Sequence, residues 1–159
     1  MNISIGKISI QENKPYIYII TKANYAYIGQ TQKNPIKRWC NHLSDKDDFI
    51  GKLANEDPEL ATNENEPVNF YAYLCDEISE NVDRNNIKRE TEYIEGYLNV
   101  LFMKDERAFN YTLISNDFNT PIDSNIETIT NNIAIHILEN FLNEIDSTVY
   151  ELHENYISF

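Results

Sequence analysis

Three observations predict an α+β fold: a small three-stranded antiparallel sheet flanked by helices, with a C-terminal helical appendage. First, two short β-rich runs, Tyr16-Ile17-Tyr18-Ile19-Ile20 and Tyr25-Ala26-Tyr27-Ile28, are separated by Thr21-Lys22-Ala23-Asn24 and read as a hairpin. Second, Val68 to Cys75 (VNFYAYLC) is rich in β-formers and supplies a third strand. Third, from about Arg84 onward the apolar residues recur at helical spacing. The expected organisation is an N-terminal β extension over 1–15, a sheet-and-helix module over 16–115 and a helical appendage over 116–159.

The elements follow in chain order. Ile3, Ile5, Ile8 and Ile10 alternate around Gly6-Lys7, as a strand or small hairpin placed before the core. After the Tyr25 run, Asn34 can cap a helix whose first position suits Pro35. On that helix, which ends near Leu43, Arg38 and His42 are four apart and share a face. Ser44 to Asp48 reads as a solvated loop, and a short helix covers Phe49 to Ala54. Asn55 to Pro67 is a polar, proline-punctuated loop with five acids and no base. Asp76 to Asp83 reads as a linker.

The helix from about Arg84 to Leu101 has an apolar stripe of Ile87, Ile94, Tyr97, Leu98 and Leu101. Glu90 falls on this stripe, three after Ile87 and four before Ile94. An ionised carboxylate is costly to bury unless paired or metal-bound, so Glu90 is either a functional acid or an edge residue that reaches out to solvent or is bridged to an Arg. A turn at Lys104 to Arg107 leads to Ala108-Phe109-Asn110-Tyr111, which returns to the core. Asp117 to Asp123 is a loop, Ser124 to about Ile145 a long helix, and Thr148 to Phe159 a final segment with Val149, Leu152, Tyr156 and Phe159 at similar spacing. This appendage either packs on the module or forms an oligomer interface.

Composition narrows the function. At 159 residues and 42% hydrophobic, the chain suits one domain with a real core. No apolar stretch approaches the ~20 residues needed to span a bilayer, and the N-terminus does not resemble a secretory signal. Cys40 and Cys75 form no CxxC and fit two thiols in a reducing cytoplasm. No Walker loop, nucleophile elbow, EF-hand or zinc spacing is present. The net charge of −13 opposes nucleic acid at long range, since phosphate affinity comes from Lys and Arg.

Tyr16-Ile17-Tyr18, Tyr27-Ile28-Gly29, Arg38 with His42, Glu90 followed by Ile94, and then Asn110 together resemble the GIY-YIG nuclease family. Tyr16 stands where the family has its first-motif glycine. A glycine there permits close backbone approach, and a tyrosine adds bulk near the sheet edge. The resemblance spans roughly Tyr16 to Asn110. It implies a DNA endonuclease or nickase that cuts one strand per site, with one divalent cation, Mg2+ or Mn2+, held by Glu90.

In that setting the residue types suit phosphodiester hydrolysis. Mg2+ keeps several waters, so one carboxylate can hold it. Arg38 would grip the phosphate through its planar fork. Tyr18 and Tyr27 would orient or deprotonate water, and a free Tyr pKa near ~10 requires a neighbouring cation for that role. His42 would assist proton transfer or hold phosphate, and Asn110 would fix Glu90 or a tyrosine. The basic residues expected near Glu90 are Lys22, Lys33, Lys37, Arg38, Lys88 and Arg89.

Asn, Ile and Tyr abundance in a small stand-alone chain suits a phage, mobile-element or defence origin. The acidic charge keeps two alternatives open. One is a non-enzymatic interaction or DNA-mimic protein on the same fold. The other is a nuclease subunit whose DNA affinity comes from a homo-oligomer or protein partner. No membrane partner is expected.

Overall fold

The computed structural model describes residues 13–114 and 126–156, with side chains up to 145 in the final helix. The expected strand Ile3 to Ile10 and the loop Asp117 to Asp123 lie outside the described residues. Strands β1 (Tyr16–Lys22) and β2 (Tyr25–Thr31) form the hairpin. Its turn is two residues long, tighter than the four expected, because Thr21 and Lys22 still pair with Ala26 and Tyr25. Ala23 closes it at φ 48, in the left-handed region that an alanine seldom adopts. Strand β3 (Val68–Leu74) pairs antiparallel with β1 on the other side.

The sheet order is β3-β1-β2-β4, so it has four strands instead of three. The extra strand β4 (Thr112–Leu113) runs parallel to β2 at Tyr25 and Ala26, held by Thr112 N–H to the Asn24 carbonyl (2.7 Å) and Ile114 N–H to the Ala26 carbonyl (2.9 Å). Two residues are too few to carry an alternating pattern, so no strand was legible there.

The period of two along β1 and β2 divides their side chains between two layers. Ile17, Ile19, Ala26 and Ile28 share one core with helices α5 (Ile87–Lys104) and α6 (Glu127–Tyr156), through Ile94, Leu98, Phe102, Ile137, Phe141 and Leu142. Phe141 meets Tyr71 of β3 edge-on at 5.1 Å between centroids and Phe102 at 5.7 Å. Ile133 to Leu142, in the middle of the expected appendage, are thus part of the sheet's own core. Helix α6 also continues unbroken to Tyr156, where two segments were expected, since neither proline nor glycine interrupts it. Arg107, in the 3-10 turn Glu106–Ala108, bridges Asp105 and Glu139 of α6, both at 2.7 Å.

The opposite layer holds Tyr18, Ile20, Tyr27 and Val68 with Phe49 and Leu53. It is covered by α1 (Pro35–Ser44) and α2 (Phe49–Glu56). Asn34 caps α1 as expected, accepting from Ile36 N–H at 3.0 Å, and Pro35 takes the first position. The Trp39 ring packs at a tilt against Phe70 of β3, 4.8 Å between centroids. Two short helices lie in segments read as loop or linker: α3 (Pro58–Thr62), capped by Asp57, and α4 (Asp76–Asn81).

Gly51 sets how closely the loop before α2 approaches that helix. A methyl built on it would overlap the backbone of Lys46. Gly51→Ala is therefore expected to destabilise the chain by about 1–3 kcal/mol through overpacking against main chain that cannot rotate away. Urea unfolding measures this, and a midpoint equal to wild type would contradict the close approach.

Candidate active site

Tyr18 comes from the middle of β1, flanked by Gly29 on β2 and Ala72 on β3. Those two small neighbours leave its ring room to lie along the sheet. A Cβ on Gly29 would overlap the Tyr18 hydroxyl, so the glycine after Tyr27-Ile28 exists here to let the phenol cross β2. Tyr27 is one register step away, opposite Ile20 on the same face, and stacks with Tyr18 at 6.4 Å and 17°.

Helix α1 brings His42 and Arg38 over these rings. His42 is fully buried, with ring centroids 5.2 Å from Tyr18 and 4.9 Å from Tyr27. The Phe49 N–H, at the start of α2, donates to His42 Nδ1 at 3.3 Å. Nδ1 is therefore the acceptor, and Nε2 carries the proton that goes to the Tyr18 oxygen at 2.7 Å. Arg38 Nε–H donates to the same oxygen at 3.3 Å. Two donors thus converge on one phenol oxygen.

The electrostatics follow from burial. Burial raises the Tyr18 pKa well above the ordinary phenol value, and the field of Tyr27 adds to it, while the Arg38 hydrogen bond and charge oppose. Burial, then the charges of Arg38 and Lys52, push His42 down to about 3, so it is neutral at physiological pH. Burial alone would lower Arg38, but its hydrogen bond to Tyr18 and the charge of Asp48 hold it above its ordinary value.

Asp48 is the residue that sequence reading missed. It was read as part of a solvated loop, yet it is buried, because Gly51 lets the Lys46 backbone press onto α2 and turn the loop's end inward. Its oxygens accept from Arg38 Nη2 at 3.2 Å and Nη1 at 3.4 Å. Asp48 Oδ1 also stands 3.4 Å from His42 Nδ1, but with the imidazole neutral this is no ion pair. Lys52, one turn on, sits over the Tyr27 ring at 4.7 Å and is the second cation of the site. Asp48 and Lys52 at i, i+4 on a short helix were the available signal.

The other expected residues are placed differently. Glu90 is fully buried, as its stripe position implied, on α5, whose apolar face covers the Ile17, Ile19 and Ile28 side of the sheet. The field of Glu95, also on α5, reaches Tyr18. Asn110 is exposed in the turn before β4. Tyr16, at the first-motif glycine position, is buried at the start of β1.

Of the cations expected around Glu90, Lys22 is buried elsewhere, donating to the carbonyls of Asn63 (2.9 Å) and Ala61 (3.3 Å), and Lys88 pairs with Glu92 on the surface. A groove of about 870 Å³ beside Lys22, walled by Leu43, Ile50 and residues 61–68, therefore presents an already bonded amine. Cys40 is exposed on α1, while Cys75 is buried and burial pushes its thiol up to about 12.

Among the described residues no three His, Cys, Asp or Glu side chains cluster as a metal cage. No helix among them is long and apolar enough to cross a membrane. The family model of the GIY-YIG catalytic domain matches residues 14–104, which includes every residue of the Tyr18 network. No curated protein and no solved structure matches the chain.

The depressed His42 pKa has a definite sign. Below its ordinary value of 6.5 the unfolded chain binds a proton that the folded one refuses until about pH 3. Stability should therefore fall as pH drops below 6.5, by up to about 1.4 kcal/mol per pH unit from this group. His42→Gln should flatten that fall between pH 6.5 and about 5, before most carboxylates titrate. Denaturant unfolding across that window tests it, and an equal slope in both proteins would refute a buried neutral imidazole.

Proposed function

Because the chain belongs to the GIY-YIG nuclease family, we propose that it is a metal-dependent DNA endonuclease or nickase of phage, mobile-element or defence origin, with its phosphate-handling centre at Tyr18, Tyr27, Arg38 and His42. The observation that carries this reading is the pair of donors, His42 Nε2 and Arg38 Nε, aimed at the Tyr18 oxygen. They hold that oxygen in place and stabilise negative charge on it. Its own proton is left to point away from both donors, toward a water or a phosphate.

Hydrolysis forms a bond from water oxygen to phosphorus and breaks the bond to the leaving alkoxide, which must be protonated. Tyr18, once its own proton has passed to solvent, would as phenolate take the attacking water's proton, and the leaving alkoxide would take a proton from solvent. Burial opposes that ionisation, so the phenolate would need added positive charge beside it, which a divalent cation would supply and the DNA itself would not. His42 has no free lone pair, since Nδ1 is occupied by Phe49 N–H, so it positions Tyr18 and is not itself the base. Arg38 would grip a non-bridging phosphate oxygen pair. Tyr27, beneath Lys52, would orient the attacking water.

Glu90, buried on α5, would hold the divalent cation at the edge where that helix comes near the Tyr18 centre, a placement supported by the field of Glu95 on the same helix reaching Tyr18. A single hard oxygen donor, with no His or Cys cage among the described residues, fits Mg2+ or Mn2+ with its waters and substrate oxygens better than zinc. When bound, the cation neutralises phosphoryl charge and lowers the pKa of a coordinated water. Asn110, exposed beside β4, would act only on bound DNA.

The net charge of −13 favours a second component for the DNA grip, a partner protein or a further copy of the chain. Activity alone should then be weak and rise at low salt. Incubated with plasmid DNA and Mg2+ or Mn2+, the wild type should nick, and Glu90→Ala and Arg38→Ala should each reduce the rate by about 10²–10³-fold. Nicking that persists in both variants would reject these site assignments.

A further inference from the structure

We propose that Asp48 is a built-in competitor for the phosphate that Arg38 grips, holding the guanidinium fork closed until a phosphodiester displaces it; this rests on the nuclease reading. The two Asp48 oxygens lie on Arg38 Nη2 and Nη1 in the two-pronged arrangement that a phosphodiester's two free oxygens would adopt. Among the described residues these Arg38 nitrogens are the hydrogen-bond partners of the carboxylate. At 3.2 and 3.4 Å the bonds are longer than the ~2.8 Å usual for charged pairs, so the carboxylate is loosely held.

Asp48 also has somewhere else to go. It is the N-cap residue of α2, and aspartate is among the preferred side chains there, yet it makes no cap hydrogen bond. It has given up that role to reach Arg38. When a phosphate takes the fork, the carboxylate can turn back toward the N–H groups of Ile50 and Gly51, the second and third residues of its own helix, which an N-cap side chain ordinarily caps. Its nearest other polar contact, His42 Nδ1 at 3.4 Å, is an acceptor at neutral pH and does nothing to retain it. The close approach of the Lys46 backbone to Gly51 keeps the residue at this junction and not out in solvent. The device excludes weak anions and admits a ligand that brings enough charge to win the fork.

The test is binding of a fluorescently labelled DNA duplex to the full chain at low salt in EDTA. Asp48→Asn and Asp48→Ser, the latter keeping a capping side chain should the amide fail to fold, are each expected to bind roughly three- to ten-fold tighter than wild type. Asp47→Asn removes the same charge from an exposed neighbour and should stay near wild type. The gain should vanish when Arg38→Gln is added. An equal gain in Asp47→Asn, a gain that survives Arg38→Gln, or no gain in either Asp48 variant would each overturn the proposal. Plasmid nicking run in parallel separates the two readings. A binding gain without nicking by any variant removes the hydrolase and keeps the competitor, and nicking without a gain does the reverse.

Discussion

The arrangement depends on one close approach, the Tyr18 ring lying across Gly29. Without a side chain on β2 at that point, the phenol reaches past its own strand and places its oxygen between α1 and the sheet. His42 then has an acceptor for Nε2 and can be buried as a neutral ring. Arg38, four residues earlier, reaches the same oxygen from the half-exposed edge of the helix. The N-terminus of α2 closes the chain of contacts by giving Phe49 N–H to the remaining ring nitrogen. Each bond determines the protonation of the next, so the network has one consistent assignment of donors.

This arrangement also explains a tension in the electrostatics. A phenol with two donors should ionise easily, yet burial wins and Tyr18 stays protonated at rest. The site is therefore quiet in the free protein, with its imidazole neutral, its phenol protonated and its guanidinium occupied by Asp48. A charge of −13 over the whole chain acts in the same sense, keeping nucleic acid away unless something overcomes the repulsion.

Much of this was legible in the sequence, for reasons specific to particular residues. The Tyr-rich runs around Thr21 to Asn24 announce a hairpin, and Asn34-Pro35 announces a helix start, because both signals are local. Arg38 and His42 follow from spacing alone. The stripe through Ile87, Ile94 and Leu98 places Glu90 inward, and it is fully buried. The stripe is silent on which face of the sheet the helix covers, since that is decided by the β3 crossover and by packing with α6. Asp48 escaped notice because an acid in Ser-Asp-Lys-Asp-Asp reads as solvated, and the close packing of the nearby Lys46 backbone on Gly51 is not written in that pattern. The exposure of Asn110 likewise depends on β4, whose two residues pair through main chain and leave no trace in side-chain pattern.

The two cysteines have a practical consequence. At neutral pH the Cys75 thiol is enclosed and held far from ionisation, whereas Cys40 stands in solvent on α1, between Arg38 and His42 in the sequence. Maleimide chemistry will therefore distinguish them unaided. A dye or spin label attached to the native chain will sit on the very helix that carries the guanidinium, so the approach of a polyanion can be followed optically or magnetically with no engineered attachment point.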